Sequence, residues 1–146
     1  MIAVDTNVIV DLIVSSQPSH APARQWVGSV GEPLVTTHTN VAECLRLLTH
    51  PRVFRRPMLL AEAVELVGSF LEAFDVEVLE EAEEWWVALG ELAGRLRGIR
   101  GNEVFDARIA LCLRYNGVKL IATHDTDFAK YPFLKIVEVP GEPGRG

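Results

Sequence analysis

The first eleven residues, MIAVDTNVIVD, constrain the fold more than any other stretch of the chain. A short apolar run ends at Val4, the polar segment Asp5-Thr6-Asn7 follows, and apolar residues then recur with helical spacing. This pattern predicts a strand, a sharp polar turn and a helix. Open α/β sheets bind their ligands beyond the carboxyl ends of their strands, so Asp5 is the first candidate for chemistry. Ordinary helix capping by Asp5 is the alternative at this point.

The rest of the chain continues to alternate between strand and helix patterns. Predicted strands cover 34–37, 76–79, 119–122 and 135–139, and predicted helices cover 20–30, 40–48, 58–74, 80–97 and 102–117. The alternation predicts a three-layer α/β/α sandwich with a mainly parallel sheet of four to five strands. We expect a single domain over residues 1–139 and a flexible glycine- and proline-rich tail over 140–146.

Composition excludes several classes of protein. A hydrophobic content of 49% against 23% charged residues is typical of a folded globular chain and not of a disordered one. The apolar runs are too short for a membrane helix, and Asp5 and Asp11 interrupt the segment where a secretory signal would be apolar. The expected location is cytoplasmic. Cys44 and Cys112 fall on apolar faces without metal-ligand spacing and are predicted to be buried free thiols.

The formal net charge of −6 argues against a broad basic surface for nucleic acid. A polyanionic partner would then require bound metal ions or a local group of arginines. Arg95 and Arg97 lie together in the chain, and we expect them, with Arg108, to contact such a partner. Solvated helix ends are the alternative explanation for this arginine group.

Three further acids are predicted to join Asp5. Glu43 lies in the first turn of the helix after the second strand, where a capping box is the structural alternative. Asp106 lies in the first turn of a helix that leads back to a parallel strand, and Asp125 follows the fourth strand. All four carboxylates should therefore meet at one edge of the sheet.

Clustered carboxylates without cations repel one another and should protonate or bind metal. Ligation by oxygen alone selects hard cations such as Mg²⁺, with Mn²⁺ as a substitute. One or two such ions would lower the pKa of an attacking water and stabilise charge on phosphate oxygens. The residues therefore predict metal-assisted hydrolysis of a phosphodiester.

Four segments in this order resemble the PIN domain, and more narrowly the VapC-type ribonuclease toxins of bacterial toxin–antitoxin pairs. The segments are Val4-Asp5-Thr6-Asn7, Asn40-Val41-Ala42-Glu43, Val104-Phe105-Asp106-Ala107 and Thr123-His124-Asp125-Thr126-Asp127-Phe128. The resemblance spans nearly the whole chain. It implies that Asp5, Glu43, Asp106 and Asp125 carry the metal and the catalysis.

The resemblance also implies supporting roles and partners. Thr6 and Asn7 would orient Asp5, and Asp127 would share or replace the part of Asp125. Glu103 is interpreted as a solvated spare acid. The implied substrate is RNA, and the implied partners are a small DNA-binding antitoxin and a second copy of the chain in a homodimer.

Three alternatives stay open on the residues alone. A haloacid dehalogenase phosphatase would need a second Asp where this chain has Asn7. A receiver domain would need paired acids after strand one and a Lys after the last strand. A PIN-like or receiver-like Mg²⁺-binding module without nuclease turnover would be expected to lack one of the four acids, and none is missing.

Overall fold

The computed structural model describes residues 1–141. It contains a five-stranded sheet with helices on both faces, as the strand and helix patterns predicted. The strands are β1 (Ile2–Val4), β2 (Leu34–Thr37), β3 (Glu77–Leu79), β4 (Leu120–Ala122) and β5 (Lys135–Val137). The helices are α1 (Thr6–Ile13), α2 (His20–Ser29), α3 (His38–Leu48), α4 (Leu60–Ala73), α5 (Trp85–Arg95) and α6 (Glu103–Tyr115), and a 3₁₀ helix covers Thr126–Lys130.

All strand pairs are parallel, in the order β3-β2-β1-β4-β5. The chain builds outward from β1 through β2 to β3, then returns to place β4 on the other side of β1. The strand order therefore reverses between β1 and β4, where open sheets form their ligand crevice. The backbone N–H of Asp5 donates to the carbonyl of Ala122 at 3.0 Å and fixes the two strand ends side by side.

The sheet is covered on both faces because successive side chains of a strand point to opposite sides. Ile2 and Val4 pack in the core formed with helices α1 to α4. Ala3, between them, packs in the second core, which includes α6, Phe128 and Tyr131. The central strand is thus buried throughout, which explains why its sequence is a continuous apolar run.

Three predicted helix starts were wrong. Helix α4 begins at Leu60, two residues after its predicted start, because Leu59 is in the extended conformation. The Met58 N–H donates to the Leu48 carbonyl at 2.9 Å and ties the segment before α4 to the end of α3. Helix α5 begins at Trp85, because the Asn116 side chain bonds the Glu80 carbonyl at 2.9 Å and holds the preceding segment against α6.

Helix α3 begins at His38, two residues before its predicted start at residue 40. The capping residue is Thr37, whose hydroxyl accepts from the Asn40 N–H at 3.2 Å. Glu43 therefore lies in the second turn, beyond reach of the position where a capping box needs it. Asn102 does precede α6, but its side chain makes no capping bond.

The prediction for the two cysteines is confirmed. Cys44 and Cys112 are buried and free. None of the helices among residues 1–141 is long and apolar enough to cross a membrane. Of the predicted tail, 142–146 lie outside the described residues.

Candidate active site

Asp5 lies at the carboxyl end of the central strand, and its side chain is almost completely surrounded by donors. Its Oδ1 accepts from the Thr6 backbone N–H and from Asn40 Nδ2, both at 2.9 Å. Its Oδ2 accepts from the Thr123 hydroxyl at 2.6 Å and from Asn7 Nδ2 at 3.3 Å. Asp5 therefore does cap helix α1, and it is also the centre of a polar network that a cap would not need.

The Asp5 carboxyl is 5% exposed, and this burial raises its pKa above the ordinary value. The nearby charge of Asp125 raises the pKa further, while the hydrogen bonds from Thr123, Thr6 and Asn40 lower it. Hydrogen-bond donors in a buried site stabilise the charged form of a carboxylate. The network thus partly offsets the cost of keeping an ionised group inside the protein.

Glu43 projects toward the same edge of the sheet from the second turn of α3. Burial raises the pKa of Glu43 to about 7, and the charges of Asp5 and Asp106 contribute to the rise, while the charge of Arg46 and the Thr6 hydroxyl act against it. Its Oε1 atom is buried and has no hydrogen-bond partner among the described residues. A buried acceptor without a partner is costly and indicates a group that awaits a proton, a water or a cation.

Asp106 lies in the first turn of α6. Burial raises the pKa of Asp106 to about 6, and the charges of Asp125, Asp5 and Asp127 add to this. Asp125 follows β4 and begins the 3₁₀ helix, where its Oδ1 accepts from the Asp127 N–H at 2.8 Å. The mutual repulsion of these carboxylates shows that the fold gathers them at one edge.

The spare acid Glu103 lies near enough to Asp106 for its charge to raise the pKa of that carboxyl. It pairs with Lys130, which lowers the pKa of the Glu103 carboxyl. Asp127 is exposed, and its carboxylate acts on the cluster through its charge on Asp106.

The donor set fits a hard divalent cation in its chemistry. The carboxylates of Asp5, Glu43, Asp106 and Asp125 offer oxygen atoms only, and oxygen ligands favour Mg²⁺ and Mn²⁺. The orphaned Glu43 oxygen is the specific observation in favour of such an ion. Among residues 1–141, however, no three potential ligands stand close enough together to enclose a metal as they are placed. Like charges hold the side chains apart, so a cation would have to draw them together.

Of the three arginines predicted to contact nucleic acid, Arg108 is paired within the protein, whereas Arg95 and Arg97 are exposed. Arg108 donates from Nε and Nη2 to both carboxylate oxygens of Glu81, at 2.8 and 2.7 Å, and stacks 3.9 Å from the centre of the Trp85 ring. Its charge is therefore already balanced within the protein. Arg95 and Arg97 are exposed near the end of α5.

Sequence reasoning missed the part that Asn40 and Thr123 take in the Asp5 network. No role in the site was predicted for the Asn40 side chain, yet its amide donates to Asp5 and, at 3.0 Å, to the Thr6 hydroxyl. Its Oδ1 accepts from the Thr37 hydroxyl at 2.7 Å. Both residues follow strands that flank β1, and that placement was the available signal.

Replacement of Asn40 should weaken the site through Asp5. Asn40→Ala removes two donors from buried oxygen atoms, so we expect a 10- to 100-fold loss of divalent-metal affinity and about 1–3 kcal/mol of lost stability. Isothermal titration with Mn²⁺ measures the first and urea unfolding the second. Asn40→Asp should be worse than Asn40→Ala, because it places a carboxylate against Asp5. Unchanged Mn²⁺ affinity in both variants would contradict a positioning role for Asn40.

Comparison with known proteins supports one family. A family model described as PIN domain matches residues 2–134. Ribonuclease VapC48 of Mycobacterium tuberculosis is 31% identical over 135 residues, which cover 90% of this chain and 92% of that protein. Ribonuclease VapC24 of the same species is 33% identical over 142 residues, covering 93% and 94% of the two chains.

Solved structures agree in fold. The crystal structure of Mycobacterium tuberculosis VapC20, described as a Sarcin-Ricin loop cleaving toxin, superposes with a TM-score of 0.72 at 22% identity and covers 96% of this chain and 100% of that one. VapBC2 from Rickettsia felis, solved on a DNA fragment from its promoter, gives a TM-score of 0.65 at 19% identity, with the same coverage of both chains. The chain therefore belongs to the PIN domain family and, within it, to the VapC ribonucleases.

Proposed function

We propose that this protein is a Mg²⁺-dependent endoribonuclease and the toxin of a toxin–antitoxin pair. The observation that carries the proposal is the orphaned, buried oxygen of Glu43 among acids from three other parts of the chain. The identity to VapC ribonucleases over nine tenths of the chain supports the same activity.

The proposed reaction is hydrolysis of one phosphodiester bond. A water oxygen forms a bond to phosphorus, and the bond from phosphorus to one ribose oxygen breaks. Asp5, Glu43, Asp106 and Asp125 would hold Mg²⁺, with Mn²⁺ as a substitute. The bound ion would supply stabilisation of charge developing on the phosphate oxygens and a lower pKa for the attacking water.

The residues of the chain have distinct parts in this proposal. Asn40, Thr123 and Asn7 keep Asp5 ionised and fixed in orientation by donating to its two oxygens. Glu43 takes up a proton near neutral pH in the metal-free protein, so a divalent ion bound there would compete with that proton. Thr6 supports Asp5 through its backbone N–H and accepts from Asn40 through its hydroxyl. Asp127 remains the proposed reserve for Asp125.

The proposal is tested by incubating the purified protein with assorted RNAs, with Mg²⁺, with Mn²⁺ and with EDTA. Internal cleavage that requires the metal is the expected result. Metal binding without cleavage of any RNA would instead favour the Mg²⁺-binding module without turnover.

The antitoxin and the homodimer are proposed from the relatives and from the surface. Structures of similar fold include toxins solved together with their antitoxins. This chain exposes apolar side chains at the start of α4, with Leu59 and Leu60 at 72% and 60% exposure. Coexpression with the product of a neighbouring gene for a small DNA-binding protein should yield a copurifying pair. Sedimentation of the isolated chain reports the dimer.

Arg95 and Arg97 are proposed to add electrostatic affinity for RNA at the end of α5. Each lysine or arginine that neutralises a phosphate adds about one to the slope of log affinity against log salt concentration. The double variant Arg95→Ala, Arg97→Ala should therefore lower that slope by about two. Fluorescence anisotropy with a labelled RNA at several salt concentrations measures it. An unchanged slope and affinity would remove both arginines from the interface.

A further inference from the structure

A cavity of about 520 Å³ lies between α3 and α6, directly beside the carboxylates. Glu43 and Asp106 form its acidic side, and Phe105, Arg46 and His38 line the rest together with the balanced Arg108. We call this cavity the α3–α6 groove. Its volume exceeds what a single water or ion needs, so it can accept a larger group next to the proposed metal.

The packing of helix against sheet does not account for Phe105, which lines the α3–α6 groove. It directly precedes Asp106, and 49% of it is exposed. Its neighbours on the same helix, Ala107 and Ile109, are 0% and 1% exposed and fill the core. The Phe105 ring is therefore not needed for packing between helix and sheet, and a flat apolar face remains open toward the groove.

Arg46 is the free cation of the groove. It lies one helical turn after Glu43, and its charge is close enough to lower the pKa of that carboxyl. Within residues 1–141 Arg46 forms no ion pair, whereas Arg108 is held by Glu81 and His38 contacts Glu80 at 3.2 Å. An exposed guanidinium beside carboxylates, with no acid of its own, suits a phosphate group.

A nucleotide fits the three features of this groove. These are an aromatic face, a free guanidinium and an acidic side that requires a cation. Bases stack on aromatic side chains, and the phosphate takes the cationic contact. A base can stack on a side chain only when it is unpaired and turned out of its helix.

We propose that the α3–α6 groove binds an unpaired nucleotide next to the cleaved bond, with its base stacked on Phe105 and its phosphate bound by Arg46. The inference rests on the proposed function and adds two residues of this chain, Phe105 and Arg46, that would hold the RNA beside the acids. Phe105 is then a residue that determines substrate structure, and Arg46 positions the backbone independently of the base.

The test compares a labelled uridine decamer with an abasic ribose-phosphate decamer of the same length. Affinities are measured by fluorescence anisotropy in Ca²⁺, and a gel after each titration checks that the RNA is intact. Phe105→Ala should weaken binding of the uridine decamer about tenfold, because stacking contributes about 1–3 kcal/mol per base. It should leave binding of the abasic decamer unchanged, and Phe105→Trp should retain the affinity for uridine.

Arg46→Ala should weaken both decamers and lower the salt slope by about one. Tyr115→Ala is the matched control, since Tyr115 is an exposed aromatic at the other end of α6, outside the groove. Equal losses on both decamers for Phe105→Ala, no loss on either, or a changed sedimentation coefficient would overturn the stacking role.

Mg²⁺-dependent cleavage by the unaltered protein is assayed in parallel. If it cleaves RNA while Phe105→Ala binds normally, only this inference fails, and if it cleaves no RNA, the proposed function fails.

Discussion

Asp5→Asn and Asp106→Asn are each expected to lower Mg²⁺-dependent RNA cleavage by about a thousandfold or more. A metal ion contributes several kcal/mol of stabilisation to the charge of the transition state, and each 1.4 kcal/mol is a factor of ten in rate. Both changes remove a proposed ligand while keeping the size of the side chain. Single-turnover cleavage of a fluorescent RNA measures the effect.

Both variants should remain folded, although Asp5→Asn should lose about 1–3 kcal/mol of stability because its amide NH₂ would face groups that donate to Asp5. Asp106 is half-buried and repelled by Asp125 and Asp5, which raises its pKa to about 6. Loss of this charge should leave the metal-free protein as stable as before or about 1 kcal/mol more stable. Glu72→Gln is the control for loss of a carboxylate charge, because Glu72 is an exposed acid of α4. Cleavage within about threefold of the unaltered protein in both Asp variants would refute the ligand assignment.

The second large effect is on the pH dependence of stability without metal. The pKa values of Glu43 and Asp106 rise to about 7 and about 6 in the folded protein. The folded state then binds protons more tightly than the unfolded chain, so the free energy of unfolding falls as the pH rises. We expect a loss of about 3 kcal/mol between about pH 5 and about pH 8 in EDTA, since one pKa unit corresponds to about 1.4 kcal/mol and both groups are partly screened by solvent.

Divalent metal should reverse this loss. An ion that binds only the folded state stabilises it by about 2.7 kcal/mol at a hundred times its dissociation constant. Urea unfolding at the two pH values, with EDTA and with Mg²⁺, measures both effects. The double variant Glu43→Gln, Asp106→Asn should lose most of the pH dependence and the response to Mg²⁺. Stability that rises with pH in EDTA would contradict the electrostatic account of the cluster.

Much of the fold could be predicted because short-range sequence patterns determine most of its strands and helices. The apolar run before Asp5 corresponds to β1 within one residue. The helix predicted after the polar segment corresponds to α1, which begins at Thr6, inside that segment. Helix starts were predicted less well, because contacts from distant residues decide them. The bond from Asn116 to the Glu80 carbonyl and the bond from Met58 to Leu48 have no local signature.

The candidate site likewise has features that could be predicted from the sequence and features that could not. The gathering of acids followed from the rule that carboxyl ends of parallel strands share an edge, and the raised pKa values of Glu43 and Asp106 reflect that gathering. The neutralisation of Arg108 by Glu81 and its stacking on Trp85 could not be predicted, because they depend on how α5 packs against α6.

By itself the sequence determined which residues could carry charge, where the strands end and therefore which acids lie toward the same edge of the sheet. Only the tertiary structure decided the hydrogen bonds that surround Asp5, the missing partner of the Glu43 oxygen and the groove beside Phe105. The physical reason is the separation along the chain over which each effect acts. Periodicity and turn chemistry act over a few residues, whereas the burial and hydrogen bonding of one side chain depend on residues such as Thr123, which lies 118 positions from Asp5.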